Sequence, residues 1–449
     1  MPEHVSLITH IFFWALATGV LFLPHRWAIL CWLLTAHLDL SGTQWQSATA
    51  MGWGNTIKII GLPTVLLIRI GIKNAFSSGL RVFPFRIWLL ICLYTTFASL
   101  WTPFFLSALK QIGYLYAYSI GFLVLLVVWQ TGKISSRTII MYVWFTLGLA
   151  ILQTFFLGNP FGHATYGIER LTSFTAQQLF SESLVSIFVL ILFLPDIKPL
   201  QKFLYSELLL FQLILNGGRM GLVGTFIMLI IVFFIYLKPK VPRRILKGNG
   251  IVFAGLLLAI LFYYLFASSS SSRFRALDLI SVAKSDIELS DIGTMGFRLS
   301  MWKSTLYQIN NFSTLDCLFG RGTSSSADIA LKSFSISSSK SIDANRIIHN
   351  EYLRIFYEWG IIGSIMFLAF LLFIVGSSIT LAKRNNIGGL ALVSFMPMLL
   401  ITLGLENILA GTGGPGGIGF LLVFTFAIVF SRRGKKSDVP QAICKQDIA

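Results

Sequence analysis

Apolar residues come in runs separated by short polar connectors. Runs of about 17 to 25 residues have the length that carries a helix across roughly 30 Å of hydrocarbon. Read this way, the chain predicts spanning helices over 7–24, 27–41, 56–73, 86–106, 108–130, 137–157, 177–195, 201–216, 219–237, 249–267, 360–382, 388–408 and 414–431. The first two are short, and one of them can be re-entrant or interfacial, so the expectation is an all-α integral membrane protein with 12–13 transmembrane helices. The stretch Ile8–Leu23 lacks a basic flank and a small-residue cleavage site, which makes it a retained span rather than a signal peptide. The amphipathic patch Ser41–Thr56 is expected along the interface, and no fixed-period repeat stands out.

The connectors give an orientation. With the tail Ser431-Arg-Arg-Gly-Lys-Lys436 in the cytoplasm, alternation collects on the same side Arg26, Lys73, Arg81, Arg86, Lys133, Arg137, Lys198, Lys202, the basic run Lys238 to Lys247, and Lys383-Arg384. The outer side keeps Lys58, Lys110, Arg170 and Arg219, besides one long segment that is exempt from the charge rule. The expected division is a bundle over 1–267, an outer loop domain over 268–349, C-terminal spans over 350–431 and a cytoplasmic tail over 432–449. The loop opens on the low-complexity run Ser268–Ser272, carries a second Ser-rich stretch, Ser324–Ser341, and is expected to be a small, partly mobile domain of two or three helices roofed over the bundle. Between them Ile280–Leu289 and Phe297–Ile309 have helical apolar spacing.

Composition agrees. With 55% hydrophobic and 12% charged residues, the chain departs from soluble domains, where about a quarter are charged. Forty Phe and eleven Trp suit lipid-facing helices with aromatic belts. The formal charge of +17 sits in the connectors as an orientation signal, so nucleic acid is not an expected partner. Cys31, Cys92, Cys317 and Cys444 form no CxxC pair, and six scattered His form no ligand cluster, so neither a metal nor another cofactor is expected.

Charge close to hydrocarbon is costly unless used or paired, so polar groups on the outer side draw attention. Arg170 follows His163-Ala-Thr-Tyr-Gly-Ile-Glu, Arg219 follows Asn216-Gly-Gly, Arg298 sits in Gly296-Phe-Arg-Leu-Ser-Met-Trp302, and His349 opens a helical pattern ending at Gly363. Taken singly, Arg219 reads equally as a snorkelling residue, Arg298 as a solvated loop residue and His349 as a boundary. Glu351, Arg354 and Glu358 have the spacing of a surface ion-pair ladder. Together, three guanidiniums and an imidazole on one face suit a pyrophosphate-bearing lipid, because arginine holds phosphate oxygens bidentately and imidazole accepts a proton near neutrality. An anion transporter or flippase is the alternative, with Glu182, Glu207 and Glu406 as its intramembrane charges. Pro63, Pro397 and Pro415 show none of the matched helix breaks that internal duplication gives.

Over about 205–375 the chain resembles the O-antigen ligase and polymerase superfamily of bacterial envelope enzymes. Asn216-Gly-Gly-Arg-Met-Gly-Leu resembles its small-residue, Arg, small-residue helix entry, although Val223 stands where ligases often have Leu. Phe297-Arg-Leu-Ser-Met-Trp resembles its Arg-x-x-x-Trp helix, and Leu318-Phe-Gly-Arg-Gly stands in place of its Gly-x-Gly turn. His349-Asn-Glu-Tyr-Leu through Trp359-Gly-Ile-Ile-Gly matches its His followed after ten residues by Gly. Before residue 160 no family motif is found, and there is no metal-binding Asp-x-Asp pair.

The resemblance implies a GT-C-like, metal-independent glycosyltransferase in the bacterial inner membrane, with the long loop periplasmic. The donor it implies is an undecaprenyl-pyrophosphate-linked glycan, and the acceptor a lipid A-core sugar or a second lipid-linked glycan. By this analogy Arg219 and Arg298 hold the pyrophosphate, with Arg170 as a third contact. His349 activates or positions the acceptor hydroxyl. Tyr352, Trp302 and Arg321 are candidates for contact with the glycan, with packing the competing role for the two aromatic residues.

Overall fold

A computed structural model describes residues 3–38, 40, 56–157, 171–173, 177–236, 294–327, 329, 348–405 and 415–433. Every regular element among them is helical. The predicted span 249–267, the helix Ile280–Leu289, the interfacial patch, Arg170 and Glu406 lie outside the described residues.

The N-terminal elements are α1 (Glu3–Phe22), α2 (His25–Thr35), α3 (Leu62–Ile70, entered by a π-helical turn at Ile57–Gly61), α4 (Ile72–Leu80) and α5 (Phe83–Ala98). The central ones are α6 (Phe105–Gln130), α7 (Ser136–Ile151), α8 (Gln177–Phe193), α9 (Pro199–Asn216) and α10 (Arg219–Tyr236). Then follow α11 (Thr294–Asn310), α12 (Thr314–Phe319), α13 (Glu351–Lys383), α14 (Ile387–Leu405) and α15 (Pro415–Arg433). Among the described residues, five helical stretches are long and apolar enough to cross a membrane: Phe83–Trp101, Phe105–Gln130, Ser136–Phe156, Glu351–Lys383 and Ile387–Leu405. Shorter apolar helices cover Leu7–Phe22, Leu179–Phe193, Gly221–Phe234 and Gly417–Arg432. The molecule is a multi-pass, all-α membrane protein.

Two expected spans are not straight, full-length helices. The run 56–73 is broken: α3 and α4 meet at Gly71, whose φ of 104° only glycine adopts freely, and their axes bend by 98°. The run 27–41 yields an α2 of 11 residues, about half the length a span needs. Just past its end His37 is fully buried, its ring nitrogens hydrogen-bonded to Ser173 Oγ (2.9 Å) and Tyr142 Oη (2.7 Å).

The interior of the bundle is α8 and the second half of α6. Phe180–Leu194 and Gly121–Trp129 are buried on every side, as an apolar helix surrounded by other helices must be. Small residues let neighbours approach: a Cβ on Gly419 of α15 would lie 2.6 Å from Ser186 Oγ of α8.

Several basic connectors gather at one end of the bundle. There Arg26 donates to Ser135 Oγ, Ser136 to Asp196, Asn386 to the carbonyl of Ser431, and Arg432 to the carbonyl of Arg81. These bonds draw together the connectors that carry the basic residues predicted to share one side. The opposite half holds the N-termini of α8, α10, α13 and α15, with the C-terminal ends of α5 and α9. The helix starts that carry Arg219 and follow His349 are both in that half.

Candidate functional site

The site is built around a break in α13. Gly360 has φ 62° and ψ −161°, which interrupts the i→i−4 ladder, and the stretch before it departs from the axis of the stretch after it. The carbonyls ahead of the break take donors from elsewhere. Arg321 N donates to Tyr357 O (3.0 Å), Gly322 N to Glu358 O (2.9 Å) and Tyr94 Oη of α5 to Trp359 O (2.9 Å). The Leu318-Phe-Gly-Arg-Gly turn is therefore the hydrogen-bonding complement of the kink. Its glycines are required by contact: a Cβ on Gly320 would sit 2.3 Å from the Glu358 carbonyl, and one on Gly360 would sit 2.5 Å from Gly320 N. Thr323 completes the junction by donating to the carbonyls of Thr95 (2.7 Å) and Ala98 (3.2 Å).

Beneath that junction lies a charged network. Glu351, Arg354 and Glu358 are each 0% exposed, which corrects the expected surface ladder to a buried one. Arg354 pairs with Glu351 Oε2 (2.5 Å) and Glu358 Oε2 (2.9 Å). Glu358 also accepts from Gln111 Nε2 of α6 (3.1 Å) and from Ser326 Oγ (2.5 Å). Thr323, Ser324, Ser325 and Ser326 are buried, so the start of the Ser-rich stretch is a folded wall of the site and not a mobile linker. The ladder spacing is as predicted, but neighbouring elements replace the solvent, and each charge is met by bonds rather than water.

His349 stands directly before this helix in the left-handed region (φ 51°), uncommon for a non-glycine residue. Its neighbours hold it from both sides. Ile348 is fully buried against Ile329 and Tyr357, and its carbonyl accepts the Trp302 indole N–H (2.9 Å). Asn350 caps α13 by accepting from Leu353 N (3.0 Å). Arg298 lies one turn before Trp302 on α11 and is half-buried, so the bond from Trp302 brings the Arg298 helix to the strand of chain carrying His349.

Arg219 begins α10. The preceding helix stops at Gly217 (φ 63°), and Asn216 Oδ1 accepts from Gly218 N (3.0 Å). Gly218 and Gly221 face Ser181 of α8, where any Cβ would lie 2.9 and 2.8 Å from the Ser181 side chain. The small residues flanking Arg219 thus seat its helix start beside Ser181 and the buried Glu182. Asn216 Nδ2 also donates to Leu171 O (2.7 Å), and Leu171 N to Leu215 O (3.1 Å). Leu171 follows Arg170 in sequence and is tied to the residues leading into Arg219.

The remaining candidates have structural partners. Tyr352 is 40% exposed and donates to Leu400 O of α14 (3.1 Å). Arg321 lies over the Phe312 ring (4.9 Å) and donates to Tyr357 Oη (3.3 Å). Trp302 packs in the small core beside Ile348. Sequence reasoning missed Gln111, Ser326 and Tyr94. Gln111, a polar residue inside an apolar helix that needs a partner, was the one with a readable signal. Among the described residues no three His, Cys, Asp or Glu side chains converge as metal ligands.

Residues 204–368 match the family model described as O-antigen ligase. Over this region the chain is similar to O-antigen ligases. The ligase region runs from within α9 to the middle of α13 and contains Arg219, Arg298, Arg321, His349 and Gly360. Two partners of its central junction, Tyr94 and Gln111, come from helices before it. No curated protein matches the chain.

Proposed function

We propose that this protein transfers a glycan from an undecaprenyl-pyrophosphate carrier to a sugar hydroxyl at the periplasmic face of the bacterial inner membrane. The carrying observation is that the ligase region folds Arg219, Arg298 and His349 onto helix starts in the half of the bundle away from the basic connectors. The N-termini of α8, α10, α13 and α15 lie in the same half, and their partial positive charge favours an anionic group.

Arg219 and Arg298 bind the pyrophosphate, with Arg170 as a third contact, and stabilise the charge that develops on it. The acceptor oxygen attacks the anomeric carbon as the bond from that carbon to the phosphate oxygen breaks. Undecaprenyl pyrophosphate leaves with the electron pair, and the anomeric centre inverts. His349 accepts the hydroxyl proton or orients the hydroxyl. A pyrophosphate leaving group needs less assistance than a sugar hydroxyl, so the reaction is assigned to these residues without a metal. Tyr352, Trp302 and Arg321 line the approach of the glycan.

The test is transfer by the purified protein in liposomes given undecaprenyl-pyrophosphate-linked repeat units, with and without lipid A-core. A ladder from donor alone identifies a polymerase. Product only in the presence of core identifies a ligase. No product with either, across several glycans, removes the proposal and favours transport.

A further inference from the structure

The Glu351–Arg354–Glu358 network is far more than α13 needs to stay helical, and it begins two residues after His349. Its connections point outward from α13. Glu358 receives one donor from α6 (Gln111) and one from the turn that follows α12 (Ser326), while its second role is to hold Arg354. Arg354 N in turn donates to Asn350 O (3.0 Å), the residue beside His349. At the other end Tyr352 reaches α14. A helix segment fixed at Glu358 and at Tyr352 cannot rotate about its axis or slip by a residue without breaking a bond to another element. Such a rotation would swing His349 away from Trp302 and the Arg298 helix.

We infer that Glu358, acting through Arg354 and with Gln111 and Ser326 as its anchors, is a positioning residue that sets the placement of His349 for glycan transfer. This rests on the function proposed above. Glu358 touches no substrate and carries no proton in the reaction. It fixes the angle at which the first stretch of α13 presents the imidazole. Purely structural service is the competing role, and the arrangement argues against it. Two anchors tie a single carboxylate to two elements other than its own, and the φ of 51° at His349 persists only where its surroundings over-determine it.

The experiment compares wild type, Glu358→Gln and Gln111→Leu in the reconstituted transfer assay, with donor titrated and turnover normalised to folded protein by gel filtration. Gln at 358 turns one acceptor into a donor facing Arg354 and Gln111. Leu at 111 removes one anchor and leaves the Arg354 ion pairs intact, which protects the test against a variant that does not fold. A misplaced catalytic group costs up to roughly 10²-fold. We therefore expect kcat to fall about ten- to 10²-fold in Glu358→Gln and less in Gln111→Leu, with the KM for donor within about twofold of wild type. Wild-type kcat per folded molecule in both variants, even with lower yield, would overturn the positioning role. Wild type inactive on every donor would instead overturn the functional reading and this inference with it.

Discussion

Helix α13 holds two stretches that read alike in helical period and differ in everything around them. Before Gly360, Glu351, Arg354 and Glu358 are buried among polar partners from α6 and the 318–327 turn. After it, Ile361, Ile365, Leu368 and Leu372 form one exposed apolar stripe, while Phe367, Phe370, Leu371 and Ile374 face the bundle. The second stretch is an ordinary lipid-facing helix whose stability comes from one packed side. The first is held by directional bonds, and each of its charged groups has been removed from both water and lipid. A single glycine separates the two environments because the chain there must turn and three carbonyls must accept donors from neighbours.

Substitutions on the two sides of Gly360 therefore differ widely in cost. Arg354→Leu leaves two buried carboxylates without their shared cation and should cost about 3–5 kcal/mol, read as loss of folded protein in thermal or denaturant unfolding. Gly360→Ala places a methyl 2.5 Å from Gly320 N in a left-handed conformation and should cost ~3 kcal/mol by the same measurement. Tyr94→Phe leaves the Trp359 carbonyl one donor short and should cost about 1 kcal/mol. Leu368→Val, on the exposed stripe, should stay within about 0.5 kcal/mol of wild type. Equal effects for Arg354→Leu and Leu368→Val would erase the distinction between the stretches.

Much of the architecture was legible because membrane helices announce themselves by length and apolarity. The basic connectors separated the two ends of the bundle as the hydrogen bonds between them do. The bend at Gly71 was hidden because the apolar run continues through it, and hydropathy is blind to one residue's φ. The family motifs pointed to Arg219, Arg298 and His349 as candidates. They did not reveal that the Gly320–Gly322 turn and Gly360 are complementary halves of one junction, which is a relation between distant segments. Glu351, Arg354 and Glu358 were visible as a ladder, yet i, i+3 and i+4 spacing is the same in water and in a core. What buries them is Gln111, some 240 positions earlier, and a serine in a stretch whose composition resembles a linker.

The central claim is that the arginines of the ligase region act on the pyrophosphate of a lipid-linked glycan. Its most direct test is the turnover of purified, reconstituted Arg298→Ala beside wild type, with an undecaprenyl-pyrophosphate-linked donor and equal amounts of folded protein. The account predicts a loss of about 10²–10³ in rate, or roughly 2.7–4 kcal/mol of transition-state stabilisation, with unfolding unchanged. A folded Arg298→Ala protein that transfers glycan at the wild-type rate would contradict it.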